Sequence, residues 1–541
     1  MSFTTSCLLR PVCTLTRKSA VSFLPPCAVS PSLVSFSRCL HDSVDRINAV
    51  RELERPADVL QFFALNSDMD TETLEATLRS LARKANNERE TSKALMNDEK
   101  FQRLVAAVAG RLEDADARLL ARIASAAAIF PFRSPELLDL GQRVAEVSSR
   151  RENAFSSRHL ASLSFGLAVL GIRDPALVEF VRLETLKTIH DFGPRDLHTL
   201  LEALRQWHFF NRELLDLICE KMVDEVNRFT SRDVVDTLRV LSLTGLARGF
   251  LIRRLSSLAF EALEQFTPPQ LIRVAYSLAR LRFLTVQNLE EVLDALAPHI
   301  GSLGPVQTAD LLHTMAMLDY GENEELLGKL VDQFASQQCR SILPLVDFLH
   351  AMCVFELYKE NPEAFKTALQ RVLSSPVTKN RMVLMKLSEV LSCYEVEELR
   401  ERLPRVEIPS LWRGACDECD RLEQEKTESL KMFAEVAMVT DLLRGKFKLP
   451  WTRNARRGPY YLDFLDEETG IVLEVDAVSR PVTRALKHRN LKALGLKPVS
   501  MGYWQWRRAR SEDDQILLLK AKLEEPLVDV GRLERLEESG Q

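Results

Sequence analysis

The chain has 541 residues, of which 46% are hydrophobic and 28% are charged, and its formal net charge is -5. This length exceeds one ordinary hydrophobic core, so we expect several folding units or an array of repeats. The composition is typical of a folded, soluble protein, no apolar run is long enough to span a membrane, and the low count of 19 glycines favours a mostly helical chain.

The first 41 residues contain basic but no acidic side chains. Arg10, Arg17, Lys18 and Arg38 stand among many serines, threonines and small apolar residues, and the first acid is Asp42. This composition is typical of an organelle transit peptide. We therefore expect residues 1–41 to be a leader that directs the protein to the mitochondrial matrix. A plastid address and a disordered cytosolic tail are the alternatives.

The middle of the chain repeats a helix-start signal at a step of 37 residues. The segment 155–160 recurs at 192–197, 229–234 and 266–271 and again from Leu303, and a weaker copy begins at Arg340. In the five copies from 155 to 303, Ser, Thr or Gly precedes Pro or a charged residue, which is the pattern of a helix N-terminus. Two apolar stripes at helical spacing follow in each copy. Neither helix can bury its stripe alone, so the copies are expected to stack into an α-solenoid.

The periodicity and the composition divide the chain after the leader into five regions. We expect an N-terminal helical region over residues 42–116, the 37-residue repeats over 117–373, a helical connector over 374–450, an α/β domain over 458–520 and a charged tail over 521–541.

One position in the first helix of each repeat carries a side chain that varies from copy to copy. A varying side chain at a fixed place is how one-base-per-repeat RNA readers work. Packing against the neighbouring helix is the alternative, since aromatic side chains fit a core. The residues at this position, each 37 after the last, are Phe165, Glu202, Arg239, Tyr276, His313 and His350.

The C-terminal module is basic although the chain is acidic. Residues 451–510 hold twelve basic and six acidic side chains, a net charge of +6 that leaves -11 for the rest. Two apolar strands with acids near their ends precede a helix that presents Arg484, Lys487, His488 and Lys492, and a third strand follows. A basic module on an acidic scaffold is typical of local phosphate binding, and a solvated basic face is the alternative.

Two motifs in this module carry a family resemblance. Glu-Val-Asp at 474–476 and Tyr-Trp-Gln-Trp at 503–506 make residues 459–520 similar to the RAP domain, which is named for its abundance in apicomplexan parasites. The order helix-strand-strand-helix-strand-helix resembles the restriction-endonuclease-like fold, to which RAP domains are related. The helix pairs resemble the heptatricopeptide repeats, which occur with RAP domains in apicomplexan organelle proteins. Animal relatives of the Fas-activated serine/threonine kinase family share this layout and act on mitochondrial RNA. The implied fold is mainly α: an α-solenoid followed by a small α/β, restriction-endonuclease-like RAP domain.

Basic and aromatic side chains of the module are the candidates for RNA contact, because Arg and Lys hold phosphates and aromatic faces stack on unpaired bases. If the third strand continues, alternation sends Trp504 and Trp506 to one face, and at least one of them belongs to the core. The candidate RNA-binding residues are Arg453, Arg456, Arg457, Arg484, Lys487, His488, Arg489, Tyr503, Trp504, Trp506, Arg507 and Arg508.

Three acids are weak candidates for catalysis. A nuclease of the related fold holds Mg²⁺ with acids on adjacent strands, which Asp463, Glu474 and Asp476 could supply, with Lys487 replacing the usual strand lysine. Many RAP domains follow Glu-x-Asp with Gly-Pro, one residue and His, whereas residues 477–480 are Ala-Val-Ser-Arg. We therefore expect no enzyme. A metal-dependent endoribonuclease is the alternative, and salt bridges to basic neighbours are the structural role that the acids could have instead.

The remaining features complete the expected function. Cys416 and Cys419 form a lone CxxC on a charged helix, so we expect no metal and no cofactor. The sequence predicts a mitochondrial RNA-binding protein that stabilises, processes or assembles organelle RNA, foremost ribosomal RNA. Mitochondrial rRNA or mRNA and mitoribosomal proteins would be its partners, without membrane insertion. A protein-binding scaffold of the mitoribosome is a further alternative, favoured by the acidic repeats.

Overall fold

The computed structural model describes residues 43–66, 68–87, 92–244, 248–396, 403–429, 433–445, 451–457, 460–476, 484–509 and 511–528. The chain forms two compact units, one up to Thr185 and one from Leu186. Described residues are mostly helical and include one small sheet near the C-terminal end, so the predicted fold class is confirmed. The predicted leader lies outside the described residues. Within those residues, no helix has the length and apolar character needed to cross a bilayer.

The first unit is built from helices alone in its described part. Its helices are α1 (Ser43–Glu52), α2 (Pro56–Leu65), α3 (Thr71–Asn87), α4 (Ser92–Met96), α5 (Glu99–Ala109), α6 (Ala117–Ile129), α7 (Pro135–Ser149), α8 (Ser157–Leu170) and α9 (Pro175–Thr188), the last of which crosses into the second unit. Helices α1, α3, α6 and α8 pack on one another in succession. Gly166 allows α8 to approach α6 closely, because a Cβ there would lie 2.7 Å from the backbone carbon of Ala124 on α6.

The second unit continues with pairs of helices. They are α10 (Pro194–Gln206), α11 (Arg212–Asp224), α12 (Ser231–Thr244), α13 (Gly249–Glu261), α14 (Pro268–Leu281), α15 (Val286–Leu296), α16 (Pro305–Met317), α17 (Glu324–Ala335), α18 (Ile342–Val354), α19 (Pro362–Leu373), α20 (Arg381–Glu395), α21 (Ser410–Ser429) and α22 (Phe433–Gly445). Short 3-10 helices precede four of the repeats, at Ile189–Asp191, Val226–Arg228, Leu263–Gln265 and Ala297–Ser302.

The first helix of each repeat begins where the sequence predicts. Helices α8, α10, α12, α14, α16 and α18 begin at Ser157, Pro194, Ser231, Pro268, Pro305 and Ile342, so each start follows the last by 37 residues. At α14 the cause is local: Thr267 and Gln270 form a capping box around Pro268 at the first helical position. In the second unit, α10, α12, α14, α16, α18 and α20 pack in succession, each against the first helix of the next repeat.

Helix α18 is enclosed by its neighbours. Every residue from Pro344 to Val354 is buried. The helix packs against α16, α19, α20 and a helix of the C-terminal module. Its two polar residues, Asp347 and His350, therefore lie in the interior and need partners there.

The C-terminal module is a four-stranded sheet with helices on both faces. Its elements are β1 (Trp451–Arg457), β2 (Tyr460–Asp466), β3 (Ile471–Asp476), α23 (Arg484–Ala493), β4 (Lys497–Gly502), α24 (Tyr503–Arg508) and α25 (Glu512–Val528). The strand order is β1-β2-β3-β4. Both β1–β2 and β2–β3 are antiparallel, and β3–β4 is parallel with α23 as the crossover. The structural module thus extends beyond 458–520 at both ends, and it has one strand, β1, more than the three that the sequence indicates.

The sheet separates two small cores. Phe464 and Trp506 lie in the core that α22 and α25 cover, and Leu462 and Leu491 lie in the core on the α23 side. Residues 503–508 form helix α24, so the expected strand alternation of Trp504 and Trp506 does not apply. Trp506 is nevertheless in the core, as we expect for at least one of the two.

Candidate nucleic-acid interface

Helix α23 joins the module to the repeats. The Arg489 guanidinium donates to the carbonyl oxygens of Cys353, at 2.5 Å, and Val354, at 3.2 Å. It also lies 3.7 Å from a carboxylate oxygen of Glu356. These carbonyls belong to the last turn of α18, where backbone oxygens lack helical partners and a cation is favoured. A side chain that the sequence suggests for RNA contact therefore docks the module.

A second polar contact reinforces this docking. Asn490 is fully buried, and its amide donates to the Tyr460 hydroxyl at 2.6 Å and to the Cys393 sulfur of α20 at 3.6 Å. Burial raises the pKa of the Tyr460 phenol well above its usual value, so this group stays neutral. Sequence reasoning missed Asn490. The signal available was its place on the face of α23 that carries Leu486 and Leu491.

Two of the three candidate acids, Asp463 and Glu474, have described side chains. Both accept hydrogen bonds from backbone amides where β2 and β3 separate. Ladder pairing covers only residues 464–466 with 471–473. Beyond it, an Asp463 carboxylate oxygen accepts from the Val475 amide at 2.9 Å. The Asp463 amide in turn donates to the Glu474 carboxylate at 3.4 Å. The carboxylates thus occupy backbone donors that the ladder leaves without a strand partner.

Lys487 pairs with one of these acids. Its ammonium lies 2.6 Å from a Glu474 carboxylate oxygen and donates to the Tyr461 carbonyl at 3.2 Å. The two charged side chains are only 11% and 8% exposed, so the pair is largely shielded from solvent. This is the structural role that the sequence offers as the alternative for Glu474. The neighbouring His488 shares a hydrogen bond with the Ser500 hydroxyl at 2.8 Å.

No metal-binding cluster forms among the residues that the structure describes, where no three His, Cys, Asp or Glu side chains come together suitably. The Asp476 side chain lies outside that description. Cys416 and Cys419 are both buried on α21, and burial raises the pKa of the Cys416 thiol to about 12. A thiol with so high a pKa is a poor metal ligand and a poor nucleophile at neutral pH.

Several candidate basic side chains remain on the surface of the module. Arg456 is 56% exposed, lies over the Tyr461 ring at 5.7 Å from its centroid, and is 3.9 Å from the Asp417 carboxylate. Arg457 is 43% exposed and pairs with Glu467. Arg508 is exposed and Arg453 is half-buried. The side chains of Arg484, Tyr503, Trp504 and Arg507 lie outside the described residues.

The varying positions of the repeats contact one another in the second unit. The rings of Tyr276 and His313 are 6.0 Å apart between centroids, and those of His313 and His350 are 5.1 Å apart. The His350 ring nitrogen lies 2.7 Å from a Glu389 carboxylate oxygen on α20. A Glu202 carboxylate oxygen lies 2.6 Å from a guanidinium nitrogen of Arg205 on the same helix. Burial lowers the pKa of His313 well below its usual value.

Burial divides the varying positions into two groups. Glu202, His313 and His350 are 7%, 1% and 1% exposed, as the packing alternative expects. Such side chains cannot stack on a base without repacking of the helices. The other three, Phe165, Arg239 and Tyr276, keep part of their surface accessible.

A buried ion pair next to the varying positions was not predicted from the sequence. The Lys386 ammonium donates to the Asp347 carboxylate, and the two side chains are 6% and 0% exposed. Burial lowers the Lys386 pKa and the Asp347 carboxylate raises it; the carboxylate prevails, so the pKa is above its usual value. Burial, followed by the Asp347 charge, raises the pKa of nearby Asp310 to about 7.

Comparison with known families places one match on the repeats. A family model described as RESC6, RNA-editing substrate-binding complex 6 protein, matches residues 138–323. The matched part is roughly a third of the chain; it begins within α7, ends just before α17, and does not include the C-terminal module. No curated protein matches the chain.

Proposed function

We propose that this chain is an RNA-binding helical-repeat protein that works within an RNA–protein complex in the mitochondrion. The match of residues 138–323 to an RNA-editing substrate-binding complex protein carries the proposal. The matched residues are consecutive helix pairs in the structure, so the likeness concerns a folded repeat array. The acid-free composition of residues 1–41 supports the mitochondrial address.

The finer part of the proposal concerns the class of RNA. The repeats would be heptatricopeptide-like and the C-terminal module a RAP domain, and together they would stabilise, process or assemble organelle RNA, foremost ribosomal RNA, next to the mitochondrial ribosome. The 37-residue step of the helix starts and the order of strands and helices in the module support this reading. The docking of α23 on α18 would make the repeats and the module act as one RNA-binding body.

The proposed action is non-covalent. Glu474 is engaged by Lys487 at 2.6 Å and Asp463 by the Val475 amide at 2.9 Å, which supports a structural role for both acids. The same geometry also favours a second candidate function, a metal-dependent endoribonuclease, since two carboxylates and an ammonium meet where β2 and β3 separate. Incubation of the full chain with labelled organelle RNA and Mg²⁺ distinguishes the two. Cleavage that disappears in Asp463→Asn, while RNA binding persists, would establish the nuclease.

Crosslinking in isolated organelles tests RNA binding. Bound RNA is sequenced for the wild type and for a variant in which exposed basic residues of the module are reversed: Arg456→Glu, Arg457→Glu and Arg508→Glu. Lys487 and Arg489 are left unchanged because their loss would disturb the module itself. The matched control reverses three exposed arginines of the first unit that lie outside the matched residues 138–323: Arg55→Glu, Arg103→Glu and Arg111→Glu.

Each outcome has a distinct meaning. A discrete ribosomal or messenger footprint that is lost in the module variant and kept in the control supports RNA binding through the module. A footprint that both the module variant and the control variant keep would assign the RNA contact to the repeats. If the wild type gives no footprint above background, RNA binding is wrong and a protein-binding scaffold is the better account.

A further inference from the structure

Exposed phenylalanines mark the turns between the two helices of successive repeats in the second unit. Phe210 at the α10–α11 turn is 51% exposed, and Phe250 at the start of α13 is 61% exposed. Val286, at the start of α15, is 47% exposed. These side chains, on three consecutive repeats, are accessible for contact with a binding partner.

The three turns form a continuous edge. Arg248, just before α13, pairs with Asp216 on α11. Gly249 lies against the Phe283 ring, since a Cβ on this glycine would be 3.4 Å from the ring. We call the surface formed by residues 209–216, 248–254 and 280–288 the turn edge.

The turn edge is basic. Its segments contain six arginines and two acids, hence a net charge of +4 on a chain whose total is -5. Arg212 is 89% exposed, and Arg253 and Arg254 are exposed on α13. The turn of the next repeat, residues 318–325, holds four acids and no basic residue. The positive charge is therefore confined to three consecutive repeats.

Aromatic rings separated by arginines are the chemistry that single-stranded nucleic acid needs. Bases stack on exposed rings whatever their sequence, and arginines hold the phosphates between them. A protein partner would favour a contiguous apolar centre with a polar rim. On the turn edge each exposed ring stands on its own repeat with arginines nearby. Single-stranded nucleic acid therefore fits this surface better than a protein partner does.

We infer that the turn edge binds single-stranded RNA. In this arrangement bases stack on Phe210 and Phe250, and phosphates pair with Arg212, Arg253 and Arg254. The inference rests on the proposed RNA-binding function and gives it a second site, separate from the C-terminal module. It also accounts for RNA contact by repeats whose varying side chains are partly buried.

Binding of a fluorescein-labelled 20-nucleotide oligouridine to the full chain tests the turn edge, measured by anisotropy at several salt concentrations. Stacking of one base on one ring contributes about 1 to 3 kcal/mol, so the loss of two rings in Phe210→Ala with Phe250→Ala should weaken binding by about 30-fold or more. The triple change Arg212→Gln, Arg253→Gln and Arg254→Gln should also reduce the slope of log affinity against log salt by about 2. Leu411→Ala with Leu422→Ala is the control, because these leucines are 76% and 49% exposed on α21.

The results separate the edge from the broader function. Loss of affinity in both edge variants, with an unchanged control and unchanged circular dichroism, supports the inference. Wild-type binding that both edge variants retain overturns it and leaves RNA binding elsewhere on the chain. Absence of wild-type binding even at low salt overturns the edge and counts against RNA binding itself. Loss of a co-purifying protein, with oligouridine affinity unchanged, would make the edge a protein-docking surface instead.

Discussion

The buried pair of Lys386 and Asp347 offers the sharpest test of how the last repeats are held together. Lys386→Met would leave the Asp347 carboxylate without its cation on a helix that is buried on every side. A His313 ring nitrogen lies 3.9 Å from this carboxylate, beyond hydrogen-bond distance. Removal of one member of a buried pair typically costs about 3 to 5 kcal/mol, since the other charge stays in a medium of low polarity. We expect a loss of this size.

The double change Lys386→Met with Asp347→Leu removes both charges and should cost less than the single change. Urea unfolding followed by circular dichroism gives the midpoints, and hydrogen exchange of peptides from α18 localises the effect, because a chain of two units need not unfold in one step. Lys329→Met is the control, because its pair with Glu325 at 2.5 Å lies on the surface and should contribute little to stability. A Lys386→Met protein within about 1 kcal/mol of the wild type would contradict this role of the ion pair. So would a double variant whose loss of stability equals the sum of the losses in Lys386→Met alone and Asp347→Leu alone.

Three further changes probe other contacts. Gly166→Ala places a Cβ 2.7 Å from a neighbouring backbone atom and should lower stability by about 1 to 3 kcal/mol in thermal unfolding, whereas Gly328→Ala, with no atom within 4 Å, should be neutral or stabilising. Arg489→Gln removes a charged donor from two carbonyl oxygens and should cost about 2 kcal/mol, with faster hydrogen exchange in α23; exchange equal to that of Arg456→Gln would contradict its docking role. Asp310 has a pKa raised to about 7, so its contribution to stability is lost as pH rises through 7; Asp310→Asn should raise the urea midpoint at pH 8 and have less effect at pH 5, and an equal effect at both would contradict the shift.

The repeat helices could be predicted because their start signals are local. Thr267, Pro268 and Gln270 lie within four residues of one another and fix a helix start without any distant contact. The same signal recurs at a constant step, which also determines which helices must share a core. The fold class of most of the chain therefore follows from short segments that agree with one another.

Strand β1 could not be predicted in this way, because its side chains do not alternate. Asn454 has a φ of 53°. The buried residues before and after it, Trp451 and Ala455, lie in the cores on opposite faces of the sheet. A period of two residues would place them on the same face. The pattern of residues 451–457 therefore does not predict a strand.

The candidate site was only partly predictable for a different reason. Lys487 and Arg489 are basic residues on a basic helix, and composition alone assigns them to phosphate. Their partners are distant in sequence: Glu474 lies 13 positions from Lys487, and Cys353 lies 136 from Arg489. Charge shows which residues seek a negative partner, but only the tertiary fold decides whether that partner is RNA, a carboxylate or the end of a helix.

Local charge, and not the total, decides whether an acidic chain can hold RNA. At physiological ionic strength the field of an exposed charge is screened within about 8 Å, so the net charge of -5 does not by itself determine the potential at one surface of the chain. At the turn edge a phosphate would be near segments with a net charge of +4 and exposed rings. At the module it would be near the accessible side chains of Arg456 and Arg457. A strand would be held at the patches alone, with a salt dependence set by the few arginines there and not by the length of the array.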